Sequence, residues 1–148
     1  MHNLLIISCS QSKIEDRGLI YASQRYTGPY FNIINKAMHE DKFPADTDIL
    51  ILSAKYGIVQ WRTIIPYYEL MLTEEAIPEL KARVEGQLYA FFSSRHYTYS
   101  EIFINMSKLY RQVIDDFDFE KKANTVVYGT GGIVKQCSQL KNWIHNTD

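Results

Sequence analysis

The chain is poor in the features that usually advertise a protein's task. Its 148 residues include two cysteines, four prolines and seven glycines. Cys9 and Cys137 form no C-x-x-C pair and neither has a close cysteine or histidine partner, which argues against a zinc site or a vicinal redox centre. His2, His39, His96 and His145 are scattered, and there is no H-E-x-x-H, G-x-S-x-G or Walker A sequence. The expectation is therefore no metal and no cofactor. No run approaches the ~18 apolar residues needed to cross a bilayer. The start "MHNLLIIS" lacks the basic flank and cleavage site of a signal peptide, so a cytoplasmic protein with reduced thiols and no membrane partner is expected. A formal charge of −1 excludes coating of nucleic acid by bulk electrostatics but permits a local basic groove. Lys13, Arg17, Arg25, Lys36, Lys55 and Arg62 fall in the first half, while Asp115, Asp116, Asp118 and Glu120 come late. That bias fits a groove or simply a solvated face.

What the chain does have is a hydrophobic content of 46%, enough for one core, and no repeat or linker. A single domain over residues 1–148 is expected. Four short apolar runs read as strands buried on both faces: Leu4 to Ser8, Asp48 to Ser53, Glu101 to Met106 and Asn124 to Tyr128. Helical spacing separates them. Thr27 or Gly28 caps a segment with Pro29 at its start and Phe31, Ile34 and Met38 on one face. Leu80, Val84, Leu88 and Phe91 follow Pro78; Leu109, Val113 and Phe117 follow Ser107 as an N-cap. Ile133, Cys137, Leu140 and Ile144 form a last stripe that makes Cys137 a packing residue. Strands alternating with helices predict a three-layer α/β fold, with about four strands in a mostly parallel sheet and helices on both faces. Right-handed crossovers place all strand C-termini along one edge, where open α/β sheets bind ligands.

Small and polar residues follow every strand. "SCSQSK" brings Cys9, Ser10, Ser12 and Lys13; "SAKYG" brings Ser53, Lys55, Tyr56 and Gly57. Asn105 and Ser107 follow the third strand, and Gly129, Gly131 and Gly132 follow the fourth. The glycine loop either makes a tight strand–helix turn or lets backbone amides reach a phosphate or carboxylate. Cys9 has no histidine near it in sequence, which favours a buried strand-end residue over a nucleophile. The serine hydroxyls suit hydrogen bonding to a phosphate or base. Lys55 and its neighbours also fit a structural role as strand and helix caps.

These motifs resemble those of a family of small bacterial and phage proteins of unassigned function. The matching elements are Cys9, Ser10 and Lys13; Tyr26, Gly28 and Phe31; Leu52 to Gly57; and Pro66 with Tyr67. The central motif is also similar to one in YaaA-type peroxide-stress proteins and in domains attached to archaeosine synthase, and so implies a uracil-DNA-glycosylase-like fold. The resemblance covers roughly the first half of the chain. It implies a nucleic-acid or nucleotide role, which can be filled in two ways. One is an enzyme acting at an N-glycosidic bond. It would use Tyr56 or Tyr67 to stack on a base and Phe31 as an apolar floor. Lys55, Lys13 and the glycine-loop amides would hold phosphate, and Ser10, Ser53 and Asn105 would read a base edge. Glu69, or else Glu15 or Asp16, would activate water. The other is a non-catalytic nucleotide- or DNA-binding module in stress response or phage defence. Related proteins carry an acidic residue directly after the Pro-Tyr tyrosine, whereas here Tyr68 intervenes before Glu69. Either Tyr68-Glu69 takes that place with the proline slipped by one, or the acid is absent. Trp61 and the many tyrosines leave open a homodimer face.

Overall fold

The computed structural model describes residues 2–15 and 18–147; Asp16 and Arg17, both named above, lie outside the described residues. Its centre is a five-stranded sheet ordered β4-β3-β1-β6-β7. The strands are β1 (Asn3–Ser8), β3 (Thr47–Ser53), β4 (Gly57–Gln60), β6 (Tyr99–Asn105) and β7 (Ala123–Tyr128). All six residues of β1 are buried, because their alternation serves two cores at once. Leu4 and Ile6 pack on one face and Leu5 and Ile7 on the other. β1 pairs in parallel with β3 (Ile7 opposite Ile51) and with β6 (Ile7 opposite Asn105). β6 in turn pairs in parallel with β7.

The sheet has five strands and not four, and the fifth is antiparallel. Residues expected to form a loop turn back as β4, with Ser53 opposite Gly57 and Ile51 opposite Val59. "SAKYG" is thus the tip of a hairpin, with a three-residue loop closed by Gly57 at φ 74°. That left-handed position is the one such hairpins require, and glycine adopts it without strain. A two-stranded clip, β2 (Ile20–Tyr21) with β5 (Ile64–Ile65), joins the other two loops of the first half.

Helices cover both faces. α3 (Ile77–Ser93) and α4 (Lys108–Ile114) bury Leu80, Val84, Leu88, Phe91 and Val113 against one; α2 (Pro29–His39) and α5 (Ile133–Asn146) bury Phe31, Ile34, Leu140 and Ile144 against the other. The short α1 (Ala22–Arg25) precedes α2. Two details differ from the sequence expectation. Phe117 lies beyond the end of α4, since Asp115 already leaves the helix, yet it packs on the same core. Ile133 is 51% exposed, because the first turn of α5 projects from the glycine loop beyond the sheet. Among the described residues, no helix is long and apolar enough to cross a membrane.

Candidate functional site at the carboxyl edge of the sheet

Parallel β1, β3, β6 and β7 end on the same side, so Ser8, Ser53, Asn105 and Tyr128 mark one edge. Over β3 stands a cluster of hydroxyl groups. Ser53 is fully buried, and its Oγ accepts the amide hydrogens of Lys55 (3.2 Å) and Tyr56 (3.1 Å), fixing the hairpin tip. It also lies 2.8 Å from the hydroxyl of Tyr68, which is 2.5 Å from that of Tyr26. The ring of Tyr68 meets those of Tyr56 and Tyr26 edge-on. Two ammonium groups flank it: Lys13 Nζ is 4.7 Å from the ring centre and Lys55 Nζ 5.8 Å. Among the described residues neither lysine forms an ion pair with a carboxylate. Burial holds the phenols neutral. It pushes Tyr26 up to about 12, helped by the nearby Cys9 thiol, and raises Tyr68 further still.

The lysines are placed by different elements. Lys13 bridges Tyr26 as an isolated β pair, and Thr27 N–H donates to Ser12 O at 2.9 Å. Ser10 Oγ accepts Gly28 N–H at 3.1 Å, and a Cβ at Gly28 would stand 2.4 Å from that of Ser10. Gly28 therefore allows the strand-end loop to touch the start of α2. Lys55 is held from α3, where Arg83 Nη1 donates to its carbonyl at 2.7 Å. Gln87 donates to Tyr56 O and accepts Ile58 N–H, locking the hairpin from both sides.

A second cluster lies over β6. Asn105 is fully buried and donates through Nδ2 to Gln136 O, while Gln136 Nε2 donates to Met106 O and Gly131 O. Among the described residues, neither side-chain oxygen, Asn105 Oδ1 or Gln136 Oε1, meets a donor. A Cβ at Gly129 would come within 2.7 Å of Gln136 Oε1. Gly129→Ala is accordingly expected to destabilise the fold by about 1–3 kcal/mol, measured by urea titration; an unchanged midpoint would contradict the tight packing. Between the clusters, Cys9 Sγ lies 3.2 Å from the Tyr110 hydroxyl, whose phenol is raised by burial and by the thiol.

The structure brings Cys9, Ser10, Lys13, Tyr26, Gly28, Ser53, Lys55, Tyr56, Gly57, Asn105 and Gly129 to or beneath this edge, with the exposed Gly131 at its rim. Other candidates take different places. Phe31 is 1% exposed and stacks on Trp61 at 5.7 Å, so both rings belong to the core. Pro66 is exposed, and Tyr67 turns outward, its hydroxyl donating to Glu69 at 2.5 Å with Glu15 at 3.3 Å. The bond to Glu69 raises the Tyr67 phenol. It is Tyr68 that fills the inward position, as the one-residue slip of the proline would require. That slip is a signal for Tyr68, whereas no motif or spacing points to Tyr110, Gln136, Arg83 or Gln87. A cleft of about 700 Å³ lies elsewhere, between α2 and α5, and is lined by Ile33, Lys36, Lys141 and His145. Among the described residues its lining holds no buried polar side chain, and Lys36 lies in the last turn of α2, where it complements the negative helix end. The strand edge, where buried polar atoms converge, is the better candidate.

Fold and edge together describe a three-layer α/β structure with a cationic, tyrosine-lined candidate site beyond the parallel strands. The chain belongs to the family of unknown function DUF6884, whose model matches residues 4–144. No curated protein matches it. The crystal structure of AF0587, a protein of unknown function, is similar over 99% of this chain and 45% of its own length, with a TM-score of 0.56 and 16% identity. This chain thus spans less than half of that protein, and the likeness is one of fold.

Proposed function

We propose that this domain binds a nucleotide or nucleic acid through phosphate, at the edge formed by Ser10, Lys13, Ser53, Lys55 and Tyr68. The observation that supports this reading is the pair of lysines flanking Tyr68 without a carboxylate partner among the described residues. Two uncompensated cations beside neutral phenols make an environment for an anion, and aromatic rings beside them offer a surface for a base. In binding assays with a short DNA strand, Lys13→Ala and Lys55→Ala are each expected to weaken affinity roughly 10-fold and to flatten its dependence on salt. Unchanged affinity in both variants would reject the site.

A second reading is a base-excising N-glycosylase-like enzyme of uracil-DNA-glycosylase-like architecture. It is favoured by Glu69 and Glu15 meeting at Tyr67, which puts two carboxylates on the loops that carry the site. Both glutamates are exposed, and among the described residues neither hydrogen-bonds to Ser53, Tyr68 or Cys9. Binding is therefore the reading that the geometry supports better. Release of free base from oligonucleotides carrying damaged or modified bases, lost in Glu69→Gln, would establish the enzyme instead.

A further inference from the structure

The hydroxyl cluster has one proton too many. Ser53, Tyr68 and Tyr26 bring three hydroxyl protons, and their two oxygen–oxygen contacts use two. The direction is constrained at one end. Ser53 Oγ already accepts two amide hydrogens, which fills its lone pairs, so it must donate to Tyr68. The contact between Tyr68 and Tyr26 uses one more proton. The third remains on one of these two phenols, with no acceptor among the described residues. Both phenols are buried, at 4% and 1% exposure, where an unused donor is costly. Lys13 stands over both rings, 4.7 and 5.9 Å from their centres. It is half-buried and its own hydrogen bond, to Gln11 O, is long at 3.3 Å, so it can turn to a ligand without disturbing the core.

Resting on the binding reading above, we propose that the Tyr26–Tyr68 pair, oriented by Ser53, donates its spare proton to an oxygen of a terminal phosphate, so that the site selects a phosphate monoester. Two ammonium groups and one neutral donor match a group that carries close to two negative charges at neutral pH. An internal phosphodiester carries one charge and offers two free oxygens, so it would leave part of this set unused. The same chemistry is present in a free mononucleotide and at the phosphorylated end of a strand. Tyr68 and Ser53 are positioning residues if the proton resides on Tyr26.

The test compares binding of the full chain to oligothymidylate with a 5′-phosphate, the same strand with a 5′-hydroxyl, and thymidine 5′-monophosphate, by titration calorimetry. The phosphorylated strand should bind roughly 10-fold more tightly than the hydroxyl strand. Tyr26→Phe and Tyr68→Phe should each lose part of that preference, and the double variant should erase most of it. The two losses should add in the double variant, because each single variant still holds one phenol proton without an acceptor. Tight binding of the mononucleotide would identify free nucleotide as sufficient; weak binding beside a tight strand would identify the strand end. Equal binding of the two strands overturns the monoester assignment, and a preference retained in the double phenylalanine variant overturns the proton donation. Either result leaves phosphate binding at Lys13 and Lys55 standing; that reading fails if no strand and no nucleotide binds. Should the double variant fail to fold, the single variants decide: full preference in both Tyr26→Phe and Tyr68→Phe overturns the donation.

Discussion

Replacing Arg25 with methionine should lower stability by about 3 kcal/mol and free the loop that carries Lys13. Arg25 is fully buried at the end of α1. Its Nη1 donates to Ile14 O at 2.5 Å, and its Nη2 to Gly18 O and to Ile65 O, the latter at 3.2 Å. One guanidinium thus joins the first loop to β5, whose Ile65 lies 40 residues beyond Arg25 in sequence. Two effects oppose each other. Methionine relieves the desolvation of a cation that has no carboxylate partner among the described residues, but it strands three carbonyls. The carbonyls win, because no other donor in the packed loop can reach them while the loop keeps its place. Arg25→Lys should recover less than half of the loss, since a single ammonium cannot reproduce a planar fork that serves three acceptors. Urea titration gives the global cost, and proteolysis near Gly18 reports the local one. An unchanged midpoint with an unchanged digestion pattern would refute the clamp.

Raising the pH above 10 should unfold the domain well before its backbone is attacked. The phenol of Tyr26 ionises near 10 in the unfolded chain and near about 12 in the folded one. Below pH 10 both states keep the proton, and the contribution to stability is full. Between 10 and 12 the unfolded state releases the proton and the folded state holds it. Stability then falls by about 1.4 kcal/mol per pH unit, or about 3 kcal/mol in total for this group. Tyr68, Tyr99 and Tyr110 are shifted in the same direction, each chiefly by burial, so their losses add to it. Stability measured at pH 9, 10 and 11 should drop steeply, and Tyr26→Phe should flatten the curve. A wild-type slope in that variant would show that the cluster is not what the alkaline transition reports.

The parallel part of the fold was legible because it is a matter of local pattern. Leu4 to Ile7 and Ile49 to Leu52 are continuous apolar runs, and only strands with two buried faces account for them. The hairpin is not legible in the sequence because "GIVQ" is short and half polar, and because a glycine after Lys55 and Tyr56 suits a ligand loop as well as the left-handed turn position that Gly57 fills. Around the site, residues adjacent to strand ends could be named from topology alone. Tyr110, Gln87 and Gln136 could not, because they arrive from the middle of helices whose rotation is fixed by packing. Tyr67 and Tyr68 show the limit most clearly. Adjacent tyrosines point to opposite sides of an extended chain, and the choice between them rests on the bond to Ser53, 15 residues away in sequence.

The two-stranded clip of Ile20–Tyr21 with Ile64–Ile65 bears on how the domain would fail on heating. It consists of two residue pairs, and Tyr21 and Ile64 are largely in water. The main sheet, by contrast, runs through a fully buried central strand. Such unequal burial divides a molecule into units that open at different free energies, and the clip belongs to the weaker one. Lys13 and Tyr68 sit on the two loops that it fastens. The edge is therefore expected to lose its arrangement at a lower free energy than the sheet, and Lys13 to be freed from Tyr68 before β1 opens.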